Sequence, residues 1–252
     1  MKTALISGGA GGLGRALGAQ LIERGWHVIA LDIDVSPLPR SPDYTAIEID
    51  ITDRAAMQSA LSDAIATRPS IDLVIYNAGV SHIAPFCDAT EEAHRHLFEI
   101  NYFAAVEMAR TLLMTVRQSK GTHLAISSVA GFSPLYQRTA YAASKHALEG
   151  FFSSLRSEEA EFGVDVLIAA PSFVGTNLDQ SAPDQNGMQR PGSASDGMDY
   201  MTPEAAARAI LKGYDARAPF IPVGRIARLS WWINSLSPRL FQRLMERSIK
   251  GR

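Results

Sequence analysis

A tyrosine and a lysine four residues apart form the clearest chemical pair in this chain. Tyr141 and Lys145 lie in a segment with helical spacing, so their side chains share one helix face. A phenol with a pKa near ~10 is a poor acid or base at neutral pH, but a neighbouring ammonium favours the phenolate and pulls that pKa toward working pH. Ser128 ends a predicted strand before this segment, and its hydroxyl can hydrogen-bond a substrate oxygen opposite the phenol. The pattern indicates general acid–base chemistry at a carbonyl or alcohol.

A second candidate site is the glycine-rich segment 7–14, which lies between a predicted strand and a predicted helix. Glycines let the backbone approach a pyrophosphate, and the helix N-terminus offers free N–H groups and the positive end of its dipole. Two registers fit the spacing, and the sequence leaves both open. Gly9, Gly11 and Gly14 follow G-x-G-x-x-G, whereas Gly8, Gly12 and Gly14 follow G-x-x-x-G-x-G. Either register predicts a dinucleotide-binding loop.

Acidic residues after two further strands refine this prediction. Asp32 ends the second predicted strand, where a carboxylate can accept hydrogen bonds from the ribose hydroxyls of a dinucleotide. The same carboxylate repels a 2′-phosphate, and no basic residue occurs within 8–14 or at Ile33, so the sequence favours NAD over NADP. Asp50 and Ile51 follow the third predicted strand, where they can hold an adenine.

The elements that must position these residues alternate between short apolar runs and longer helical patterns. Predicted strands cover 3–7, 26–31, 44–49, 71–76, 122–127, 164–170 and 220–223, and predicted helices cover 13–24, 53–67, 90–118 and 139–162, with another starting at 202. Apolar runs without strict alternation are typical of parallel strands covered on both faces. The predicted fold is α/β, a single doubly wound Rossmann-type parallel sheet flanked by helices, over residues 1–223. Residues 224–252 form a predicted C-terminal helical extension.

Composition excludes several other classes of protein. The chain has 252 residues, 46% of them apolar and 20% charged, which is not a disordered composition. The single cysteine, Cys87, excludes an internal disulfide framework, and we expect it to be a buried or partly buried packing residue. No apolar run approaches the ~18 residues of a membrane span, and the first residues do not follow a signal-peptide pattern. We therefore expect a cytoplasmic protein, and we expect no metal site. His82 follows the segment 77–79 and is a candidate for the mouth of the pocket, but we expect it to lie on the surface.

These motifs together resemble the short-chain dehydrogenase/reductase family over roughly residues 1–223. The family's T-G-x-x-x-G-x-G corresponds to 7–14 with serine in place of threonine, and its N-N-A-G corresponds to Tyr76, Asn77, Ala78 and Gly79. Its helix asparagine matches Asn101, its catalytic serine Ser128 and its Y-x-x-x-K motif Tyr141 to Lys145. Its P-G-x-V-x-T corresponds to Pro171, Ser172, Phe173, Val174, Gly175 and Thr176.

The resemblance implies a role for each matched residue. It implies the register Gly8, Gly12 and Gly14, with Leu13 between the last two. Tyr141 is the implied general acid/base, Ser128 orients the substrate oxygen, and Lys145 holds the nicotinamide ribose and lowers the pKa of Tyr141. Asn101 supports a water relay to Lys145. The implied cofactor contacts are Asn77, Ala78 and Gly79 near the adenosine ribose, and Pro171, Val174 and Thr176 near the nicotinamide.

Two segments outside these motifs are candidates for contacts with ligands or partners. Segment 179–200 is rich in Ser, Gly, Pro and Asp, which is typical either of a functional lid or of a disordered segment. Residues 217–252 hold eight Lys or Arg residues and one acid, against 16 basic and 25 acidic residues before them. The apolar spacing in this tail predicts basic amphipathic helices broken at Pro238. Packing on its own domain or subunit, contact with a membrane surface, and a role at the pocket all remain open, whereas nucleic acid is disfavoured.

We therefore expect an NAD-dependent oxidoreductase that interconverts a secondary alcohol and a ketone. Phe132, Leu135, Phe173, Met188 and Met198 indicate an apolar small-molecule substrate. The resemblance implies a homo-oligomer, a dimer or tetramer, built on the helices of 90–118 and 139–162. The alternative is a dinucleotide-binding sensor or peripheral membrane protein with little catalysis.

Overall fold

A parallel sheet forms the centre of the molecule. The computed structural model describes residues 1–68, 70–176, 188–189 and 200–250. In chain order, the strands are β1 (Thr3–Ser7), β2 (His27–Asp32), β3 (Tyr44–Glu48), β4 (Leu73–Tyr76), β5 (Ser81–His82), β6 (Thr122–Ile126), β7 (Asp165–Pro171), β8 (Met188–Gln189) and β9 (Phe220–Val223). Seven of them form one parallel sheet in the order β3-β2-β1-β4-β6-β7-β9, and β5 pairs with β8 in a separate antiparallel ribbon. This confirms the predicted doubly wound sheet.

Helices cover both faces of the sheet, which explains why its strands are apolar throughout. The helices are α1 (Gly12–Glu23), α2 (Arg54–Thr67), α3 (Glu91–Phe98), α4 (Ala104–Ser119), α5 (Thr139–Glu159), α6 (Pro203–Asp215), α7 (Arg225–Leu236) and α8 (Pro238–Lys250). Leu17 of α1 and Ile210 of α6 pack in the core on one face. Leu61 of α2, Leu112 of α4 and Phe152 of α5 pack in the core on the other face.

The long helix predicted over 90–118 is present over Glu91–Ser119, but it is not α-helical throughout. A π-helical turn over Glu99–Phe103 separates α3 from α4. Asn101 lies in this turn, where its side chain bonds to the backbone of Val80 and to Ser144 of α5. Widened turns of this kind occur frequently at functional sites. The π-helical turn thus coincides with long-range contacts of one polar side chain, which the helical pattern does not encode.

Two expectations about single residues were wrong. Cys87 is exposed, since it lies in a short 3-10 turn on the surface after Pro85. His82 is buried, because β5 places it opposite Met188 of β8. Both errors arise because local composition does not show which connecting segment folds back over the molecule.

Tyr76 occupies the position where the family pattern has asparagine, and it joins two central strands. Its hydroxyl lies 2.6 Å from Nδ1 of His123 on β6, and its ring stands 4.6 Å from that of Phe152, measured between ring centroids. Tyr76 and His123 are both buried. Burial lowers the pKa of His123 to about 4, so this histidine is neutral in the folded protein at neutral pH.

The last two helices follow the final strand of the sheet. Within the described ranges, no helix combines the length and the apolar character that a membrane crossing requires. The boundary between residues 223 and 224 remains a prediction, although the helices themselves begin at Arg225 and are interrupted before Pro238 as the spacing predicted.

Candidate active site

The glycine-rich loop lies at the carboxyl edge of the sheet, where the chain order reverses between β1 and β4. Ligands of open α/β sheets bind in the crevice at such a point. Gly8 has a φ of +64°, and a Cβ added there would lie 2.8 Å from Cα of Ala78. Glycine is therefore required for this turn and for the close approach of the loop to the segment after β4.

Backbone contacts distinguish the two glycine registers. A Cβ on Gly12 would lie 2.9 Å from Cβ of Thr176, and a Cβ on Gly14 would overlap the carbonyl oxygen of Gly8. A Cβ on Gly11 would meet nothing closer than this same oxygen, at 3.4 Å. Gly9 of the alternative register is also tightly packed, since a Cβ there would lie 2.5 Å from Cβ of Ala30. The two registers therefore differ at Gly12 and Gly11, and the closer contacts of Gly12 favour Gly8, Gly12 and Gly14.

Ser7 and Asn77 tie the loop to the end of β4. The Ser7 hydroxyl accepts hydrogen bonds from the backbone N–H groups of Asn77 and Ala78, both at 3.2 Å. The Asn77 side-chain amide donates to the carbonyl oxygen of Gly8 at 2.8 Å. Serine thus retains the hydroxyl that the family pattern supplies as threonine.

A cleft beside this loop brings most of the predicted adenosine contacts together. Asp32, Asp50, Ile51, Ala78 and Gly79 line it, and none of its described lining residues is Lys or Arg. Oδ2 of Asp32 accepts a hydrogen bond from the backbone N–H of Ala10 at 2.9 Å, which holds the carboxylate against the glycine loop. Oδ1 of Asp50 instead accepts from the backbone N–H and the hydroxyl of Thr52.

The other predicted cofactor contacts form part of the scaffold around the loop. The side chains of Leu13 and Val174 are buried in the core with Val223. Pro171 ends β7 opposite Val223 of β9, and Thr176 contacts the start of α1 at Gly12. The glycine loop, the acidic end of β2 and this wall fit a nicotinamide dinucleotide.

Tyr141 and Ser128 meet at the adjoining end of β6. Ser128 caps a short 3-10 turn, and its hydroxyl accepts from the backbone N–H of Ala130 at 3.2 Å. Tyr141 lies in the first turn of α5 and is buried. Burial raises its pKa, while a hydrogen bond with Ser128 and the charge of Arg138 oppose that rise.

Lys145 lies one turn further along the same face of α5. Its Nζ donates to the carbonyl oxygen of Ile126 at 2.9 Å and stands 6.0 Å from the ring centroid of Tyr141. Burial lowers its pKa to about 8, and the charge of Glu149 opposes this shift. Ser128 and Arg138 act to lower the pKa of Tyr141 in this arrangement. The contribution of Lys145 to that pKa stays a prediction.

Gly79 connects the cleft with the acid–base residues. A Cβ on Gly79 would lie 3.0 Å from Oδ1 of Asn101 and 3.5 Å from Nζ of Lys145. Asn101 accepts from the backbone N–H of Val80 at 2.8 Å and donates to the hydroxyl of Ser144 at 3.0 Å. Its side chain thus holds α5 against the segment after β4, while Lys145 reaches the same corner.

Glu149 is a half-buried site residue that sequence reasoning missed. It follows Lys145 by four residues, and its Oε1 accepts a hydrogen bond from the Ser127 hydroxyl at 2.6 Å. Burial raises its pKa to about 7, whereas Ser127 and Lys145 act in the opposite direction. An acid four residues after a lysine was the available signal, because such pairs face each other on a helix.

Apolar side chains surround Tyr141. Ala93, Leu97, Ala130, Ala140 and Met188 form a small buried cluster with it, and Leu135 packs against that cluster. Phe132 instead contacts Phe220, and Phe173 contacts Tyr200. Met198 and most of segment 179–200 lie outside the described residues.

Metal-binding side chains do not cluster in the described part of the chain. No group of three or more His, Cys, Asp or Glu side chains comes together there in a way that could hold an ion. The polar groups that do converge are the Tyr141 phenol, the hydroxyls, the Lys145 amine and the half-buried Glu149 carboxyl.

Comparison with known proteins places this arrangement among dehydrogenases. A family model described as short chain dehydrogenase matches residues 2–187. Dehydrogenase/reductase SDR family member 7B of Xenopus laevis is 30% identical over 205 residues, a match that covers 81% of this chain and 64% of that relative. The matched part of the chain thus spans less than two-thirds of that relative's length.

Solved structures agree with the family match. A short-chain dehydrogenase from Streptomyces avermitilis superimposes with a TM-score of 0.84 at 27% identity, covering 100% of this chain and 99% of that one. A 4-hydroxyisoleucine dehydrogenase complexed with NADH superimposes with a TM-score of 0.72 at 25% identity, covering 86% of this chain and 93% of that one.

Proposed function

This chain belongs to the short-chain dehydrogenase family, and on that premise we propose that it is an NAD-dependent oxidoreductase interconverting a secondary alcohol and a ketone. The observation that carries the proposal is the meeting of Tyr141 with Ser128, with Lys145 beside them at the corner formed by Gly79. These groups adjoin a cleft whose glycine loop fits a dinucleotide.

The chain's own residues supply the proton chemistry. In the oxidative direction the Tyr141 oxygen takes the hydroxyl proton of the alcohol, and in the reductive direction it returns a proton to the ketone oxygen. Ser128 holds that oxygen by a hydrogen bond opposite the phenol. The nicotinamide ring, when bound, accepts or supplies the hydride at the substrate carbon.

Lys145 and Asn101 position the reacting groups in this proposal. Lys145 keeps a positive charge at the corner beside Gly79, where a nicotinamide ribose can be hydrogen-bonded. Asn101 holds Val80 and Ser144 together, and therefore holds the cofactor wall against α5. This bracing role is additional to the water relay that the resemblance implies for Asn101.

The preference for NAD rests on Asp32. Its carboxylate stands at the end of β2 in a cleft whose described lining contains no Lys or Arg, so a 2′-phosphate would meet negative charge without a cation. Similar solved dehydrogenases are complexed with NADH in one case and with NADP in another, so the proposed preference depends on Asp32 alone.

The proposed substrate is an apolar small molecule. Leu97, Leu135 and Met188 near Tyr141 provide apolar surface and few groups that could pair with a charged ligand. We further propose a homo-oligomer built on α4 and α5. Exposed Phe103 and Met114 on that side of the molecule support it, and light scattering coupled to gel filtration tests it.

The decisive experiment measures absorbance of the reduced nicotinamide with a panel of secondary alcohols and ketones. We expect turnover with NAD, and we expect Tyr141→Phe to abolish it while dinucleotide binding stays within about twofold. Phenylalanine keeps the ring in its buried position and removes only the hydroxyl. Turnover retained in Tyr141→Phe would remove this residue from the mechanism, and tight dinucleotide binding without turnover in the unaltered protein would favour a sensor.

A further inference from the structure

The inner face of α7 is anchored on the sheet domain. Ala227 and Ser230 are buried, and the Trp231 ring stacks on Phe220 of β9 at 5.8 Å between centroids. The Asn234 side-chain amide donates to the carbonyl oxygen of Phe132 at 2.6 Å. These contacts fix how α7 is oriented and determine which of its residues face outward.

The outer face of α7 and its continuation on α8 expose large apolar side chains. On α7, Leu229 is 62% exposed, Trp232 59% and Leu236 80%. On α8, Leu240 is 49% exposed and Leu244 44%. We call these five residues the tail apolar stripe. Their spacing of three or four residues continues across Pro238, so they form a sequence of neighbours rather than scattered single residues.

Exposed arginines border this stripe on both helices. Arg225 and Arg228 lie on α7, and Arg239, Arg243 and Arg247 lie on α8. None of these five arginines pairs with a carboxylate of the described residues, whereas Arg24, Arg95 and Arg117 elsewhere do. On α8, arginines and leucines recur at the same spacing of four, so a row of charge runs beside a row of apolar side chains.

We propose that α7 and α8 dock on an anionic lipid surface, with the tail apolar stripe inserted between headgroups and the five arginines on lipid phosphates. A helix with an apolar row, an interfacial tryptophan and flanking arginines is suited to lie in the plane of a bilayer interface. Segment 225–252 holds seven basic residues and one acid, so a surface that complements this face in charge is strongly anionic.

Two other occupants fit less well. An isologous contact with a second copy would bring the same arginines of both chains together without acids to pair them. A nucleic acid would satisfy the arginines but leave Leu236, Leu240 and Trp232 without an apolar partner. An anionic bilayer interface provides acyl chains for the tail apolar stripe and phosphates for the arginines.

The orientation of a docked α7 also indicates a substrate class, and this inference rests on the proposed function. Through Asn234 and the contact of Phe132 with Phe220, α7 holds the segment that follows Ser128. A docked α7 therefore keeps this segment near the lipid, where an apolar alcohol or ketone would be concentrated. The substrate class is thus inferred to be one that partitions into membranes.

The test is co-sedimentation of the full chain with vesicles of phosphatidylcholine and phosphatidylglycerol, compared with vesicles of phosphatidylcholine alone. We expect binding to the anionic vesicles that weakens as salt is raised. The double variant Arg239→Gln, Arg243→Gln is expected to bind roughly 25-fold more weakly, since each arginine contributes about fivefold near an anionic surface. Arg40→Gln, Arg208→Gln is the matched control, with the same charge removed from exposed sites outside the tail, and should retain most of the affinity.

A second measurement separates insertion from simple charge attraction. In the variant Trp26→Phe, Trp231→Phe, Trp232 is the only tryptophan, and its emission should shift to the blue and become shielded from acrylamide when anionic vesicles are added. Leu240→Ser, Leu244→Ser should weaken binding at least tenfold without unfolding the chain, because both side chains are already exposed.

Several outcomes would overturn the proposal. These are equal binding to neutral and anionic vesicles, no binding, or no response of Trp232. Loss of a dimer in gel filtration on Leu240→Ser, Leu244→Ser, without vesicle binding by the unaltered chain, would assign the stripe to a second copy. Because vesicle binding is measured without substrate or cofactor, its failure is independent of failure of the proposed oxidoreductase activity.

Discussion

The Ser127 hydroxyl donates a hydrogen bond to Oε1 of Glu149 across 2.6 Å, one residue before the proposed catalytic serine. Lys145, one turn earlier on α5, binds the carbonyl oxygen of Ile126 at 2.9 Å. One face of α5 therefore holds two successive residues at the end of β6. Ser128 projects from this fixed end, so Glu149 and Lys145 together determine where its hydroxyl stands.

The first prediction concerns the charge of Glu149. Burial lowers the pKa of Lys145 and the Glu149 carboxylate raises it, and the net result is a pKa of about 8. Glu149→Gln keeps a hydrogen-bond acceptor for Ser127 but removes that charge, so Lys145 loses its proton at lower pH. The alkaline limb of the pH profile of kcat/KM should move down by roughly one pH unit.

The control for this prediction is Glu158→Gln, an exposed glutamate on the same helix, which should leave the profile in place. A purely structural role for Glu149 would lower activity equally at every pH without moving the limb. Glu149→Ala, which also leaves the Ser127 hydroxyl unpaired, should cost a further ~1–3 kcal/mol of stability.

The second prediction concerns cofactor choice. Asp32→Asn retains an acceptor oxygen for the backbone N–H of Ala10 but removes the negative charge at the end of β2. We expect NADH to bind about tenfold more weakly and NADPH to bind more tightly, because the ribose loses a charge-assisted acceptor and a phosphate no longer meets repulsion. Fluorescence titration with both dinucleotides measures this. Asp34→Asn, two residues further on, should change neither affinity by more than about twofold, and an equal effect of both variants would contradict the role of Asp32.

The third prediction separates the two glycine registers. A methyl group on Gly12 would stand 2.9 Å from both Cβ and the carbonyl oxygen of Thr176, whereas one on Gly11 would approach only the Gly8 oxygen, at 3.4 Å. Gly12→Ala should lower the free energy of unfolding by about 1–3 kcal/mol and reduce dinucleotide affinity. Gly11→Ala should leave stability within about 1 kcal/mol of the original. Urea denaturation of the two variants decides between the registers. A larger loss of stability in Gly11→Ala than in Gly12→Ala would support the register that contains Gly11.

The fourth prediction links His123 to stability at acid pH. Burial lowers the pKa of folded His123 to about 4, whereas an unfolded histidine titrates near 6.5. Between these values the unfolded chain binds a proton that the folded chain does not, so stability falls as pH drops through this range. The loss attributable to His123 is at most about 3 kcal/mol.

Urea denaturation at about pH 5 and about pH 7.5 measures this loss. His123→Gln removes the titrating group, so the variant should lose less stability between these pH values than the original. His96→Gln, at an exposed position, serves as the control and should behave as the unaltered chain does. An unchanged acid dependence in His123→Gln would show that other groups are responsible.

The sequence alone was sufficient for the fold class and for most of the candidate residues. Apolar runs at 3–7, 71–76 and 122–127 indicated parallel strands because both faces of such a sheet are covered, and the strands lie within one or two residues of those limits. The acid–base candidates were also readable, because the spacing from Tyr141 to Lys145 is one helical turn. These features are local, and local spacing is what a sequence displays.

Tertiary structure decided the features that depend on distant contacts. The π-helical turn at Asn101 involves Val80 and Ser144, which are 21 and 43 residues away. The close contacts of Gly12 require Thr176, and the raised pKa of Glu149 requires burial beneath the end of β6. The tail likewise shows its apolar and basic rows in the sequence, but only its packing on Phe220 and Phe132 shows which row faces outward. Burial and long-range contact depend on how the whole chain closes around the sheet, and no short stretch of sequence contains that information.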